Sequence, residues 1–372
     1  MPIHDSAPFT MDPQLWSNLP NHILEHVLVF LPFWSVLRLQ IVSKKWRQYL
    51  KSKCFSSKWP MKRSPPDILF IMVTDCWQSK SVAGYNSSLN KWHIISLSHF
   101  SPMETSHGFQ ILASAGSFVC TEDIAWPDRS LIVSNPMNRS YRKLPPMLDM
   151  SSPYVVGMIV DSDRLGYRIV VAQDGESLIS QYYDSKCDSW QMNVTLNRKV
   201  AMLAGMTSVR GLLFCLSFWP LGLIAYNVEA TSWEDLQVRM PTSISSPHVV
   251  QYNGDLLLIG GLEEYGQLAS IRIWKLDLLR KECIEIEEMP DHLFQSFMWT
   301  VNGEQFSCIG EGGLICFSNG SMPPMSLMYN MRDQKWGWLP PCPLHEHSPK
   351  THSRNSSSPL GFPIKPCFAM RA

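Results

Sequence analysis

The stretch that decides the organisation of the chain is residues 19–50, LPNHILEHVLVFLPFWSVLRLQIVSKKWRQYL. Its first part predicts an amphipathic helix starting at Pro20, whose fixed φ and missing N–H suit the first turn of a helix. The apolar residues that follow have the spacing of one helix face: Ile23, Leu24, Val27, Leu28 and Leu31. Pro32 ends this helix, and two further short helices are predicted, around residues 35–39 and 42–50.

Three such short helices cannot bury all of their large apolar side chains among themselves, because domains of about 40 residues are marginally stable. Ile23, Val27, Leu37 and Trp46 are therefore predicted to serve the surface of a partner as well as a local core. Periodicity alone leaves open the alternative that these helices pack on the rest of the same chain.

The order of the residue types points to a particular family of domains, which their periodicity alone does not. Residues 19–46 read L-P-x-x-I-L-x-x-V-L-x-x-L-P and then, after a short gap, L-x-L-x-x-V-S-K-x-W. This pattern resembles an F-box, the module that attaches substrate receptors to a Skp-family adaptor in cullin-based ubiquitin ligases. The resemblance implies adaptor-facing or framework roles for Leu19, Pro20, Ile23, Leu24, Val27, Leu31, Pro32, Leu37, Val42 and Trp46.

The composition excludes several classes of protein. The 372 residues are 45% apolar and carry zero formal net charge, which allows a large core and offers no general electrostatic basis for binding nucleic acid or an anionic membrane. The ten cysteines include no C-x-x-C pair, so we expect reduced thiols in a cytoplasmic or nuclear protein. Neither a signal peptide nor an apolar run of the ~18 residues needed to span a membrane is expected.

The remainder of the chain contains a repeat. An Asn or Asp stands six residues before a large or apolar residue at six places, 43 to 53 residues apart: Asn86…Trp92, Asn135…Tyr141, Asp184…Trp190, Asn227…Trp233, Asp277…Cys283 and Asn330…Trp336. The Asn or Asp is predicted to end one strand and turn the chain through side-chain-to-backbone hydrogen bonds. The second residue is then predicted to open the next strand and pack between neighbouring sheets.

Four short strands per unit of about 50 residues indicate the blades of a β-propeller. Gly260 and Gly261, with Trp274 and Asp277 downstream, resemble a kelch signature in the fifth repeat. The first repeat lacks one strand, and residues 361–370 form an orphan strand after the sixth repeat. Because a ring leaves no exposed edge only when it is closed, this C-terminal segment is predicted to complete the first blade.

These observations predict a small all-α F-box of three short helices, followed by an all-β six-bladed kelch-like propeller that a C-terminal strand closes. The predicted boundaries are a flexible tail at 1–13, the F-box at 14–55, a connector at 56–66 and the propeller at 67–372. Nearly the whole chain thus resembles a plant-type F-box/kelch-repeat protein.

Two groups of residues outside the F-box are candidates for function. Loops after the second strand of each repeat are predicted to form a target-binding rim with Trp77, Trp126, Arg129, Asp174, Phe218, Trp219, Glu263 and Tyr265. The alternative interpretation is that the same residues cover the ends of the ring. His345, Glu346, His347 and His352 are a possible metal site, but their Ser/Pro-rich surroundings are more typical of a loop.

The resemblance implies a substrate receptor of a ubiquitin ligase with no catalytic residue, metal or cofactor of its own. Its partners would be a Skp-family adaptor, through it a cullin and RING subunit, and a protein target, with neither nucleic acid nor a membrane involved. Two alternatives remain at this point: an F-box scaffold that binds without degradation, and a kelch-fold metal enzyme.

Overall fold

In the computed structural model the chain divides into two units, Met1–Asp67 and Ile68–Ala372. The structure describes these residues: 19–31, 35–36, 38–39, 44–50, 52, 54–55, 68–73, 81–100, 109–123, 130–148, 154–161, 166–193, 196–197, 199–200, 202–299, 306–319, 325–343, 360–367, 370 and 372. The predicted tail at 1–13 and connector at 56–66 lie outside them.

The first unit is helical. Helix α1 spans Asn21–Phe30 and helix α2 spans Lys44–Leu50, with further helical residues at 35–36 and 38–39. Pro20 lies just before α1, and its carbonyl oxygen accepts the backbone N–H groups of Ile23 and Leu24 at 3.0 and 3.1 Å. The helix ends where Leu31 becomes extended, as expected for the residue before a proline. The buried apolar side chains of the unit are Leu28, Val29, Val36, Leu50 and Phe55.

The second unit is a six-bladed propeller, as the repeat predicted. Each blade is a four-stranded antiparallel sheet. Blade 1 contains β24 (Leu360–Ile364), β1 (Leu69–Val73), β2 (Ser81–Asn86) and β3 (Lys91–Ser96). Blade 2 contains β4 (Phe109–Ala115), β5 (Phe118–Asp123), β6 (Ser130–Asn135) and β7 (Ser140–Lys143). Blade 3 contains β8 (Val155–Val160), β9 (Tyr167–Gln173), β10 (Ile179–Asp184) and β11 (Ser189–Met192).

The other three blades follow the same order. Blade 4 contains β12 (Met202–Val209), β13 (Leu212–Phe218), β14 (Gly222–Asn227) and β15 (Ser232–Asp235). Blade 5 contains β16 (Ile244–Tyr252), β17 (Asp255–Glu264), β18 (Gln267–Asp277) and β19 (Glu282–Glu288). Blade 6 contains β20 (Phe306–Glu311), β21 (Leu314–Asn319), β22 (Ser326–Asn330) and β23 (Lys335–Trp338). The buried apolar clusters lie between neighbouring blades, where the faces of successive sheets pack together.

The repeated Asn or Asp builds the turn between the third and fourth strands. In blade 1, Asn86 Oδ1 accepts the backbone N–H groups of Ser88 and Leu89 at 2.9 and 3.1 Å. The corresponding residues of the other blades accept in the same way: Asn135, Asp184, Asn227, Asp277 and Asn330. The fourth residue after each has a left-handed φ of 47° to 58°: Asn90, Arg139, Asp188, Thr231, Lys281 and Gln334. These six turns therefore share one backbone geometry.

In three of the blades, the Trp six positions later is hydrogen-bonded to the neighbouring blade. The indole N–H of Trp92 in blade 1 donates to the carbonyl oxygen of Pro340, which follows blade 6, at 2.6 Å. In the same way Trp190 of blade 3 donates to Pro145 O, which follows blade 2, at 2.9 Å. Trp233 of blade 4 donates to Ser180 Oγ of blade 3 at 2.7 Å. For Trp92, Trp190 and Trp233, the predicted packing between neighbouring sheets is thus reinforced by hydrogen bonds to the preceding blade. For Tyr141 of blade 2 the prediction of a packed residue is wrong, because its side chain is 47% exposed.

The C-terminal strand closes the ring. Strand β24 pairs antiparallel with β1, in a register that sets Leu360 opposite Val73 and Ile364 opposite Leu69. The strand is shorter than the 361–370 segment that the sequence predicted, because the chain leaves the sheet after Ile364 and continues along blade 2. There the Asn135 amide donates to the carbonyl oxygens of Cys367 and Met370 at 2.9 and 2.8 Å.

One element was not expected from the sequence. Helix α3, Asp291–Met298, lies in the connection between blades 5 and 6 and buries Phe297 completely. Pro290 precedes it, and its apolar residues are spaced as on one helix face: Leu293, Phe294, Phe297 and Met298. This spacing is typical of a helix, but a helix of only eight residues gives a short pattern that is easily overlooked. In the described part of the chain, no helix is long and apolar enough to cross a membrane.

Candidate functional site

Helix α1 exposes apolar side chains on the side opposite its buried residues. Leu28 and Val29 are 2% exposed, whereas Ile23 is 41% exposed and Phe30 is 50% exposed. The Phe30 ring meets the His26 ring edge-on, with centroids 5.2 Å apart. A helix that exposes apolar residues at positions i and i+7 presents a stripe along its length that a partner can cover.

The same helical unit contains a shallow apolar hollow. Its volume is about 200 Å³, and it is lined by Val27, Leu28, Leu31, Leu39 and Trp46. The lining side chains come from α1, from α2 and from the helical residues between them. An apolar side chain of a partner fits the chemistry of such a hollow, because its burial there removes apolar surface from water.

The adaptor-binding residues predicted from the sequence do not all have the same environment. Pro20 and Ile23 are exposed, and the half-buried members of the set are Leu19, Leu24, Val27, Leu31 and Trp46. Pro32, Leu37 and Val42 lie outside the described residues. Phe30 was missed because it falls off the predicted apolar face, and exposure in the folded unit is what identifies it.

The propeller has two faces with different connections. We define the turn face as the side that carries the turns between the first and second and between the third and fourth strands of the blades. The loop face carries the connections between the second and third strands and those between successive blades. This division follows from the antiparallel order of the strands.

All of the described rim candidates lie on the loop face, at the connection between a second and a third strand. Trp219 of blade 4 is 71% exposed, and Tyr265 of blade 5 is fully exposed. Asp174, Phe218 and Glu263 are half-buried, and the Phe218 and Trp219 ring centroids are 6.4 Å apart. Trp77, Trp126 and Arg129 lie outside the described residues. The structure thus brings Trp219 and Tyr265 to the same face of neighbouring blades, whereas Asp174 is on blade 3.

Trp299 is a further exposed aromatic residue on the loop face. It follows helix α3 in the connection between blades 5 and 6, and it is 87% exposed. Trp299 is not among the predicted rim residues, because all of those follow the second strand of a repeat and Trp299 lies between two blades. The loop face therefore carries Trp219 at blade 4, Tyr265 at blade 5 and Trp299 between blades 5 and 6, each more than 70% exposed.

Three buried cysteines are poor nucleophiles, and the described residues form no metal-binding cluster. Burial raises the pKa of the Cys120, Cys215 and Cys316 thiols to about 12, so these cysteines stay protonated near neutral pH. Within the described ranges, no group of three or more His, Cys, Asp or Glu side chains is arranged to hold a metal ion. His345, Glu346, His347 and His352 lie outside those ranges.

Comparison with known proteins identifies the helical unit and the relatives of the whole chain. The family model of the F-box domain matches residues 16–58. Over 369 residues the chain is 25% identical to the protein UNUSUAL FLORAL ORGANS of Arabidopsis thaliana, covering 90% of this chain and 80% of the relative. It is 26% identical over 358 residues to an F-box/kelch-repeat protein of the same plant, covering 91% and 85%.

Another Arabidopsis thaliana relative, named SKP1-interacting partner 15, is 24% identical over 361 residues, which cover 86% of this chain and 91% of the relative. These similarities extend across both units. The chain therefore carries an F-box domain and has F-box/kelch-repeat homologues along most of its length, which confirms the resemblance read from the sequence.

Proposed function

We propose that this chain, which joins an F-box domain to a six-bladed propeller, is the substrate-receptor subunit of a Skp–cullin–F-box ubiquitin ligase. The observation that carries the proposal is the F-box match together with the apolar surface of the helical unit. Ile23 and Phe30 are exposed on α1, and the same unit contains a hollow whose lining is apolar. A relative named SKP1-interacting partner 15 supports the same partner for this chain.

In this proposal each unit holds one partner. The F-box helices bind a Skp-family adaptor, and through it the cullin and RING subunits, while the loop face of the propeller binds a target protein. Holding the target close to the ubiquitin-charged enzyme raises its effective concentration, so transfer becomes effectively intramolecular. The reaction then proceeds without a nucleophile from this chain, because the acceptor lysine belongs to the target.

The proposal includes a place of action in the cytosol or the nucleus. The described cysteines are all free thiols, of which Cys120, Cys215, Cys308, Cys316 and Cys367 are buried. Such thiols suit a reducing compartment. Fluorescence microscopy of a tagged full-length chain tests this part of the proposal, and accumulation in the secretory pathway would contradict it.

The decisive experiment is a binding measurement between the full-length chain and a recombinant Skp-family adaptor. We expect the double variant Ile23→Asp/Phe30→Asp to lose at least about 100-fold in affinity, because two apolar contacts become charged at the centre of the interface. The matched control is Leu89→Asp, which changes an apolar residue of similar exposure (46%) on the turn face of the propeller. Absence of binding by the unmodified chain, or equal losses in both variants, would contradict the proposal.

A second measurement distinguishes a receptor that directs degradation from a scaffold that only binds its partners. In a reconstituted reaction with adaptor, cullin, RING subunit and ubiquitin, a ligase receptor is expected to become ubiquitinated itself, and the Ile23→Asp/Phe30→Asp variant is expected to remain unmodified. Adaptor binding without ubiquitination of the receptor would instead identify an F-box scaffold that binds its partners without directing their degradation.

A further inference from the structure

The largest exposed side chains of the propeller concentrate on one part of the loop face. Among the described residues, four large apolar side chains are more than 70% exposed, namely Trp219, Tyr265, Leu279 and Trp299. Leu279 belongs to a turn between third and fourth strands, and the other three lie on the loop face at blades 4 to 6. Exposed aromatic residues on one face are typical of binding surfaces, and they lower the solubility of a protein when no partner covers them.

Local backbone geometry does not explain two of these aromatic residues. Trp219 and Tyr265 have φ values of 51° and 54°, in the left-handed region that favours Gly, Asn or Asp. Tyr265 and Gly266 form the two-residue turn between β17 and β18, in which Asn-Gly would be the better turn sequence. The conformation of these two turns therefore does not itself favour an aromatic residue.

Carboxylates occur in the same two segments of the loop face as Tyr265 and Trp299. Glu263 and Glu264 directly precede Tyr265, and Asp291 begins the helix that leads to Trp299. In the described part of the chain, none of these three carboxylates forms a salt bridge. Residues 219–221, 262–271 and 283–299 are all described, and they contain no Lys or Arg.

Other acidic residues of blade 5 already have partners. Glu285 and Glu288 pair with Arg272 at 3.0 and 3.3 Å, and Glu287 accepts a hydrogen bond from the Tyr329 hydroxyl at 2.6 Å. The described carboxylates of these segments that form neither a salt bridge nor a side-chain hydrogen bond are therefore Glu263, Glu264 and Asp291. These carboxylates lie at the end of the hairpin of β17 and β18 and at the start of α3, on the loop face that also carries the aromatic side chains.

We propose that the loop face of blades 4 to 6 binds an arginine- or lysine-rich segment of the target protein. In this arrangement guanidinium groups stack on Trp219, Tyr265 and Trp299, and they pair with Glu263, Glu264 and Asp291. Arginine fits better than lysine, because its planar cation both stacks on aromatic rings and forms bidentate hydrogen bonds with carboxylates. The inference rests on the proposed receptor function and specifies the chemistry of its target.

The test uses the full-length chain in complex with its Skp-family adaptor and two fluorescein-labelled 12-residue peptides. One peptide repeats Arg-Ser-Gly, and the other repeats Glu-Ser-Gly. By fluorescence anisotropy we expect the Arg peptide to bind at least about tenfold more tightly than the Glu peptide, and to weaken as salt is added. A Lys-Ser-Gly peptide is expected to bind less tightly than the Arg peptide.

Two sets of substitutions locate the binding surface. We expect the triple variant Trp219→Ser/Tyr265→Ser/Trp299→Ser to weaken the Arg peptide by about tenfold or more, and Glu263→Gln/Glu264→Gln/Asp291→Asn to weaken it several-fold. The matched control is Leu279→Ser, since Leu279 is 97% exposed on the turn face of blade 5 and should not contribute. Circular dichroism of each variant establishes that the propeller remains folded.

Adaptor binding is measured on the same preparations, so the two proposals can fail separately. The inference is wrong if the adaptor binds but the Arg and Glu peptides bind equally, or if the triple variant binds the Arg peptide as well as the unmodified chain does. The opposite result, selective peptide binding without adaptor binding, would support the basic-segment surface and overturn the ligase role. A matching loss in Leu279→Ser would also contradict the proposed location.

Discussion

The two faces of the propeller differ in how their connections are built. On the turn face, each turn between third and fourth strands uses the same device, an Asn or Asp acceptor followed four residues later by a left-handed residue. On the loop face, the described connections range from the two residues between β17 and β18 to a segment that contains helix α3.

This difference separates residues that build the propeller from residues that are free to recognise a partner. On the turn face, the Asn and Asp side chains accept the backbone N–H groups of the turns, so their replacement removes hydrogen bonds that shape each blade. The exposed aromatic residues of the loop face contribute little to packing, because most of their surface already faces water. Stability should therefore depend on the turn side of the blades, and specificity should depend on the loop face.

The largest effect is expected from removing the C-terminal strand. Deletion of residues 360–372 opens the ring and removes the buried side chains of Ile364, Cys367 and Met370. We expect loss of the cooperative thermal unfolding transition and aggregation, because β1 becomes an uncovered strand edge. Circular dichroism and size-exclusion chromatography measure both effects. A synthetic peptide of residues 360–372, added in trans, should restore the transition, and its failure to do so would argue against the closure mechanism.

The same substitution at two tyrosines compares the contributions of the turn face and the loop face to stability. Tyr226, near the turn-face end of blade 4, is fully buried and donates its hydroxyl to Asn193 Oδ1 at 2.7 Å. We expect Tyr226→Ser to lower the free energy of unfolding by about 3–5 kcal/mol. Tyr265→Ser, on the loop face, should change it by less than about 0.5 kcal/mol. Urea denaturation measures both values, and similar losses would remove the distinction between the faces.

A smaller effect is expected within the turns themselves. Asn135 is fully buried, and its amide holds the carbonyl oxygens of Cys367 and Met370, whereas the equivalent Asn227 is exposed. We expect Asn135→Ala to cost about 2–4 kcal/mol, because these carbonyl groups lose their partner inside the protein. Asn227→Ala should cost about 1 kcal/mol, because water replaces its bonds. Equal costs in denaturant unfolding would show that the contact with the C-terminal segment contributes nothing.

The smallest expected effect is a gain in stability rather than a loss. Thr231 is β-branched and has a left-handed φ of 49° in the turn of blade 4. We expect Thr231→Asn to raise the free energy of unfolding by about 0.5–1 kcal/mol, since Asn tolerates this conformation better. Lys281→Asn is the control, because Lys281 has a similar φ of 58° without branching at Cβ, so its gain should be smaller. A loss of stability in Thr231→Asn would indicate that its side chain has a structural role in the turn.

Regular local patterns explain why much of the fold was predictable. The Asn or Asp repeat identified six hairpins, because the turn chemistry acts within a few residues of the chain. The spacing of residues 20–31 similarly predicted helix α1. Helix α3 was overlooked, and its eight residues matter because they lead to Trp299. Strand β24 was correctly assigned to blade 1 but is shorter than predicted, since pairing with β1 ends at Ile364.

The sequence by itself determined the two-part organisation, the number of blades and the presence of an F-box. These follow from motifs and periodicities in which the interacting residues are near one another in the chain. Only the tertiary structure decided which apolar residues remain exposed, such as Phe30, and that Trp219, Tyr265 and Trp299 share one face. Exposure and juxtaposition depend on which distant segments pack together, and the period of a helix or strand does not specify that packing.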